Sequence, residues 1–150
     1  MSNLAKTKII FLNGVSSVGK TSIAKMLQII LDDAYLPTGP VGKKVMKGMR
    51  QAIASLANQG NNLIIDEVII VNEMEEYAQL VASFQIFYIG VFAPIKVIEA
   101  REHSRQNRLI GLARWQYDRV HKNKSYDLKI DTTSLSPMDC AKLIKHKLNL

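Results

Sequence analysis

Residues 14–22 read GVSSVGKTS and follow directly on the apolar run Ile9-Ile10-Phe11-Leu12. Gly14 and Gly19 permit backbone angles that turn successive N–H groups toward one centre. Lys20 adds a cation and Thr21 a hydroxyl, which completes the spacing G-x-x-x-x-G-K-[ST] of a phosphate-binding loop, or P-loop. That chemistry needs a strand before the loop and a helix after it, whose partly positive N-terminus faces the anion. The chain must therefore build a strand–loop–helix unit with its ligand beyond the carboxyl end of a parallel sheet. Gly14, Val15, Ser16, Ser17, Val18, Gly19, Lys20, Thr21 and Ser22 are the candidate nucleotide-binding residues.

The rest of the chain repeats this alternation. Lys8–Asn13, Asn62–Val68 ("NLIIDEV"), Gln85–Val91 ("QIFYIGV") and Asp127–Ile130 are short apolar runs, the signature of strands buried on both faces. Between them lie helical patterns. Lys20–Leu31 carries Ile23, Leu27, Ile30 and Leu31 at helical spacing, and Lys43–Asn58 carries Val45, Met46, Met49, Ile53 and Leu56. Shorter helices are expected over Glu73–Ser83, from Pro94 to about Gln106, and over Gly111–Lys122. Ser136-Pro137-Met138-Asp139 reads as an N-cap, a proline in the first turn and an acid three residues on. Pro37, Gly39, Pro40 and Gly42 mark a break after the first helix. The expected architecture is a single α/β domain over residues 1–150, an open parallel sheet with helices on both faces.

Cysteine usage and apolar run lengths narrow the setting. Cys140 stands alone, so no internal disulfide forms, and no segment reaches the ~18 apolar residues of a membrane span. A cytoplasmic protein without a membrane partner is expected. Net charge is +7, and it is unevenly placed: between Lys96 and Lys129 nine Lys/Arg face four acids, which accounts for five of the seven charges. Such an excess suits a polyanionic ligand or a solvated basic helix face. No nucleic-acid motif accompanies it, which argues against DNA or RNA as a partner.

Three further constellations bear on chemistry. Asp66 ends the run Leu63-Ile64-Ile65, where the second Mg²⁺-orienting acid of P-loop proteins stands, so Thr21 and Asp66 are the candidate metal residues. Strand alternation turns Glu67 to the other side. Arg101, Arg105 and Arg108, at spacings of four and three, share one face if the helix continues, and would form with Lys20 a set of catalytic cations closing over transferred phosphates. The alternative is a solvated basic face paired with Glu99 and Glu102. His103 and His121 read as surface histidines, Trp115 and Tyr117 as packing residues or as platforms for a base, and Cys140 as an inert core residue.

Together the segments "IIFLNGVSSVGKTSIAKMLQ" (9–28), "NLIIDEV" (62–68) and 88–144, with the Arg-rich stretch, "YD" and "DTT" at 131–133, resemble the chloramphenicol phosphotransferase-like P-loop kinases. That resemblance implies a nucleoside-monophosphate-kinase-like fold of the P-loop NTPase class. It also implies ATP with Mg²⁺ as cofactors, and transfer of the γ-phosphoryl to the hydroxyl of an unidentified small-molecule acceptor. Members of the family carry a longer stretch after the first helix, with a second strand, an aspartate acting as general base and much of the acceptor pocket. Here the region shrinks to "DDAYLPTGPVGKK" (32–44), whose acids Asp32 and Asp33 match the end of the first helix rather than the catalytic position. The expectation is a small-molecule O-phosphotransferase; the alternative is a nucleotide-binding protein of the same fold with little or no kinase activity.

Overall fold

A computed structural model describes residues 8–31, 34–35, 43–70, 73–105 and 110–150. In chain order the elements are β1 (Lys8–Asn13), α1 (Lys20–Ile30), β2 (Ala34–Tyr35), α2 (Lys43–Asn58), β3 (Asn62–Glu67) and α3 (Glu73–Leu80). There follow β4 (Gln85–Phe92), α4 (Ile95–His103), α5 (Leu112–Val120), β5 (Leu128–Asp131) and α6 (Pro137–Leu148). Five strands form one sheet in the order β2-β3-β1-β4-β5, with every pairing parallel. Among the described residues, no helix is long and apolar enough to cross a membrane.

Period-two alternation divides the sheet residues between two cores. Ile10, Leu12, Ile64, Ile89, Val91 and Ile130 face α1, α4, α5 and α6, where Leu27, Ile98, Ala113, Val120 and Ile144 are buried. Ile9, Phe11, Leu63 and Ile65 face α2 and α3, represented by Ile53, Ala57, Tyr77 and Val81. Both faces are covered, and for that reason the strands read as continuous apolar runs. After β1 the chain leaves toward the first face, and after β3 toward the second. The crevice that opens where neighbouring strands diverge lies between the carboxyl ends of β1 and β3, in register at Leu12–Asp66 and Asn13–Glu67.

The structure corrects three sequence expectations. The helix expected to reach Gln106 ends at His103: Ser104 is its C-cap, and the Ser104 hydroxyl donates to the Arg101 carbonyl at 2.9 Å. A side chain that bonds the backbone in this way competes with helix continuation. Arg101 and Arg105 therefore do not share a helix, and Arg108 lies outside the described residues, as do Asp32 and Asp33. The short stretch after α1 keeps a strand, the two-residue β2, which pairs Ala34 with Asn62 and Tyr35 with Leu63.

Candidate functional site

The loop from Gly14 to Gly19 wraps the start of α1. A Cβ on Gly14 would stand 2.5 Å from the Val91 carbonyl oxygen and 2.9 Å from Val18 Cγ1, so only glycine lets β1 turn here. Gly19, at φ 109°, is the left-handed N-cap of α1 and makes no side-chain cap, which leaves the helix's first N–H groups directed at the loop's centre. Ser17 also lies in the left-handed region, at φ 64°. The Ser16 and Ser17 hydroxyls are buried and have no hydrogen-bond partner among the described residues. Two orphaned hydroxyls beside an uncapped helix start suit an anion of several oxygens.

Lys20 is 6% exposed, and its ammonium donates to the carbonyls of Gly14 at 2.7 Å and Val15 at 3.0 Å. Asp66 Oδ1 lies 4.0 Å from the same ammonium, and the Thr21 hydroxyl donates to Asp66 Oδ2. The two residues named for a metal are thus in contact, across 45 positions of sequence. A hydroxyl and a carboxylate supply hard oxygen ligands of the kind Mg²⁺ takes, with room left for phosphate oxygens. No group of three or more His, Cys, Asp or Glu forms a cluster among the described residues, so a cation here would draw on these two side chains and its substrate. Glu67 turns away, as alternation requires, and accepts from the Tyr77 hydroxyl at 2.5 Å on the α2–α3 face.

Of the candidate arginines, Arg101, on α4, is tied to the loop and to Thr132. Its guanidinium donates to the Thr132 carbonyl at 2.6 Å, the Thr132 hydroxyl at 3.0 Å and the Val18 carbonyl at 3.5 Å, and the Thr132 hydroxyl itself donates to Val18 at 2.6 Å. Arg105 is exposed beyond α4. Both arginines border a cleft of about 190 Å³ that also includes Gly19, Ser22, Thr132 and Leu135. The cations of residues 96–129 do not act as one set: Arg114 pairs with Glu99 at 2.6 Å, and the Arg119 guanidinium lies 4.9 Å over the Trp115 ring. Trp115 is 53% exposed, contrary to a packing role.

Four residues have roles at the site that the sequence reading did not give them. Gln116 is buried on α5 and its Oε1 accepts from the Ser16 N–H at 2.7 Å. Its sequence signal is a polar residue on the stripe that carries Ala113 and Val120. Asn13 accepts from the Ile69 N–H at 3.1 Å and donates to the Tyr126 hydroxyl at 2.8 Å, joining β3 to the turn before β5. Thr132, in "DTT", is the anchor for Arg101. Glu102, 1% exposed, accepts from the N–H groups of Gly111 at 2.8 Å and Ala113 at 2.9 Å and so caps α5 from outside it.

His121 is not a surface histidine. Its ring stacks on Phe92 at 3.9 Å, and its Nδ1 lies 2.8 Å from the Tyr126 hydroxyl. Burial, helped by the charges of Lys124, Lys20 and Lys129 against a backbone hydrogen bond to Val91, pushes the imidazole down from 6.5 to about 4. His103 is exposed and sits 2.8 Å from the Glu99 carbonyl, and Cys140 is buried in the core, where burial pushes its thiol up.

The family model described as "Chloramphenicol phosphotransferase-like protein" matches residues 7–40 and 36–149. The chain belongs to this family. Among curated relatives, the Mycobacterium tuberculosis (strain H37Rv) protein named "Putative O-phosphotransferase Rv2636" is 23% identical over 177 residues, covering 89% of this chain and 79% of the relative. An alignment longer than this 150-residue chain means that the relative carries residues with no counterpart here. The two family matches meet at residues 36–40, directly after the remnant β2.

Solved structures show the fold. The M. tuberculosis APS kinase CysC, in complex with AMPPNP and APS, superposes with a TM-score of 0.73 at 15% identity, over 97% of this chain and 99% of that one. A sugar kinase from Janibacter sp. HTCC2649 gives 0.70 at 16% identity, over 95% of each chain. Shikimate kinase from Acinetobacter baumannii, in complex with shikimate, gives 0.64 at 13% identity, over 95% of this chain and 94% of that one. The fold of this family member is that of the P-loop kinases.

Proposed function

We propose that the protein transfers the γ-phosphoryl of ATP to the hydroxyl of a small molecule. The observation that carries this reading is the union of Lys20, Thr21 and Asp66 at the mouth of a loop whose buried Ser16 and Ser17 hydroxyls lack partners. In this reading residues 14–22 cradle the phosphates. Thr21 and Asp66 would hold Mg²⁺, which would supply positive charge against the negative charge of the phosphates. The Lys20 ammonium, already held by the loop's carbonyls, meets charge on the transferred group without reorganising. Arg101 fixes the loop to β5. Arg105, exposed beside the cleft that it shares with Gly19 and Ser22, brings a guanidinium to the phosphates, a role that the sequence also gives to Arg108. The family supports phosphotransferase chemistry, and the solved complex of APS kinase with AMPPNP supports a nucleotide donor.

Phosphoryl transfer depends mainly on position and electrostatics, so a missing general base slows it by about 10²–10⁴-fold rather than abolishing it. The test is ADP release with Mg·ATP and a panel of hydroxyl compounds. Acceptor-dependent turnover is expected, with a loss of at least about 10²-fold in Lys20→Ala. The reduced stretch after α1 favours a second reading, nucleotide binding without transfer. If ATP binds and no acceptor raises turnover above background, the second reading replaces the first.

A further inference from the structure

A second cavity, of about 470 Å³, lies apart from the phosphate loop and within the size range of small-molecule sites. Ile70, Met74 and Tyr88 supply its apolar wall, and Arg119, Lys122 and Lys124 bring three cations against the carboxylate of Glu75. Two links tie it to the loop. Ile70 follows Ile69, whose N–H donates to Asn13, the residue before Gly14, and Lys124 Nζ donates to the Ile70 carbonyl at 3.4 Å. Arg119 is one turn along α5 from Gln116, which holds the Ser16 N–H, a rise of about 4.5 Å. One helix therefore touches the phosphate loop and lines the cavity.

The lining specifies a chemistry. Among the described residues, neither Arg119 nor Lys122 has a carboxylate within ion-pair distance. The Tyr88 hydroxyl is buried and has no hydrogen-bond partner among them. We infer that this cavity is the acceptor site and that it takes a small hydroxyl compound with a carboxylate on an apolar ring. Arg119 and Lys122 hold the anion, and Tyr88 and Met74 flank the ring. The inference rests on the phosphotransferase reading above. In the reaction, the acceptor oxygen bonds to the γ-phosphorus as the bond to the β–γ bridging oxygen breaks. ADP leaves, and the hydroxyl proton passes to solvent. A neutral compound of the same shape leaves the two cations unanswered and binds less well.

Trp115, the chain's one tryptophan, lies against Arg119 and reports on the cavity. The experiment follows its fluorescence as the full chain is titrated with 4-(hydroxymethyl)benzoate and with the uncharged 4-(hydroxymethyl)benzamide, with and without AMPPNP and Mg²⁺. The acid is expected to saturate and to bind about tenfold more tightly than the amide. Lys122→Gln should remove most of that preference, while Lys142→Gln, on the exposed side of α6, keeps it. Equal affinities, or no saturable response to the acid below about 10 mM, overturn the inference whatever turnover other acceptors give. A Lys122-dependent preference for the acid, with no γ-phosphoryl passing from ATP to any bound acid, leaves an anion site that is not the acceptor site and also overturns the inference, whereas the phosphotransferase reading falls only if no acceptor of any kind raises ADP release.

Discussion

At the scale of single residues, the phosphate loop depends on a side chain far from it in sequence. Gln116 accepts the Ser16 N–H, a donor that would otherwise lie buried and unpaired. Gln116→Leu keeps the volume and the helix but orphans that N–H, at a cost of about 1–3 kcal/mol. Nucleotide affinity measured by calorimetry should then fall about tenfold or more; affinity equal to wild type would show that the contact is incidental. Gln116→Glu keeps an acceptor but sets a negative charge near the phosphates, so it should fold normally and still bind weakly. His121 makes a prediction about pH. Asn13 donates to the Tyr126 hydroxyl, which leaves that hydroxyl free to donate to a neutral His121 Nδ1. Because the folded imidazole is pushed down to about 4 from 6.5, the unfolded chain binds more protons between those values, and stability falls as pH drops through that window. Thermal melts should show this loss in the wild type and a flatter profile in His121→Phe, which can still stack on Phe92 but cannot titrate. That the motif residues and Asp66 meet was legible because each pairs a residue type with a strand end. Gln116, Asn13 and His121 were not, because their partners come from tertiary contacts that no local pattern encodes.

Among the elements, α5 carries the most connections and shows the weakest signal in sequence. It begins at Gly111, φ 89°, with no side-chain cap of its own. Glu102, from the preceding helix, takes its first N–H groups instead, placing a carboxylate at the partly positive end. Glu102→Ala removes two hydrogen bonds to a buried carboxylate side chain and should cost roughly 2–4 kcal/mol. Since α5 positions Gln116 and Arg119, nucleotide binding should weaken with it. Urea unfolding checks the first effect and calorimetry the second; a drop in stability with unchanged nucleotide affinity would separate α5 from the site. The strands β1, β3 and β4 were legible nearly to the residue, because burial on both faces forces apolar runs that turns must interrupt. The end of α4 was not legible. Arg101, Arg105 and Arg108 sit at helical spacing, but the Ser104 hydroxyl bonds the Arg101 carbonyl and the helix stops at His103. The two-residue β2 was missed because so short a strand owes its form to pairing with β3 rather than to its own residues.

For the whole molecule, the sheet brings the phosphate loop, Asp66 and Thr132 to one end. β1 delivers the phosphate loop, β3 delivers Asp66 beside it in the register Leu12–Asp66, and β5 delivers Thr132 to hold Arg101. The meeting of Lys20, Thr21 and Asp66 was therefore readable from order and spacing. The cation-lined cavity was not, since it joins α3, β4 and the end of α5, segments with no common pattern. Its position also gives a physical answer to the shortened stretch after α1, because the acceptor region can be supplied by the opposite edge of the sheet. The same arrangement predicts how the molecule responds to its donor. Ser16, Ser17 and the start of α1 carry unpaired or uncapped groups in the folded chain, so a nucleotide that pairs them binds the native state and not the unfolded one. At a hundred times its dissociation constant such a ligand stabilises by about 2.7 kcal/mol. For a chain of this size that raises Tm by about 5–10 °C, and the rise should grow with the logarithm of nucleotide concentration. Differential scanning calorimetry with AMPPNP and Mg²⁺ measures it. Lys20→Ala should melt near the wild-type temperature without nucleotide and gain almost nothing from it. A wild-type chain whose Tm does not move in millimolar nucleotide would mean that the loop binds no donor, and the kinase reading would fall with it.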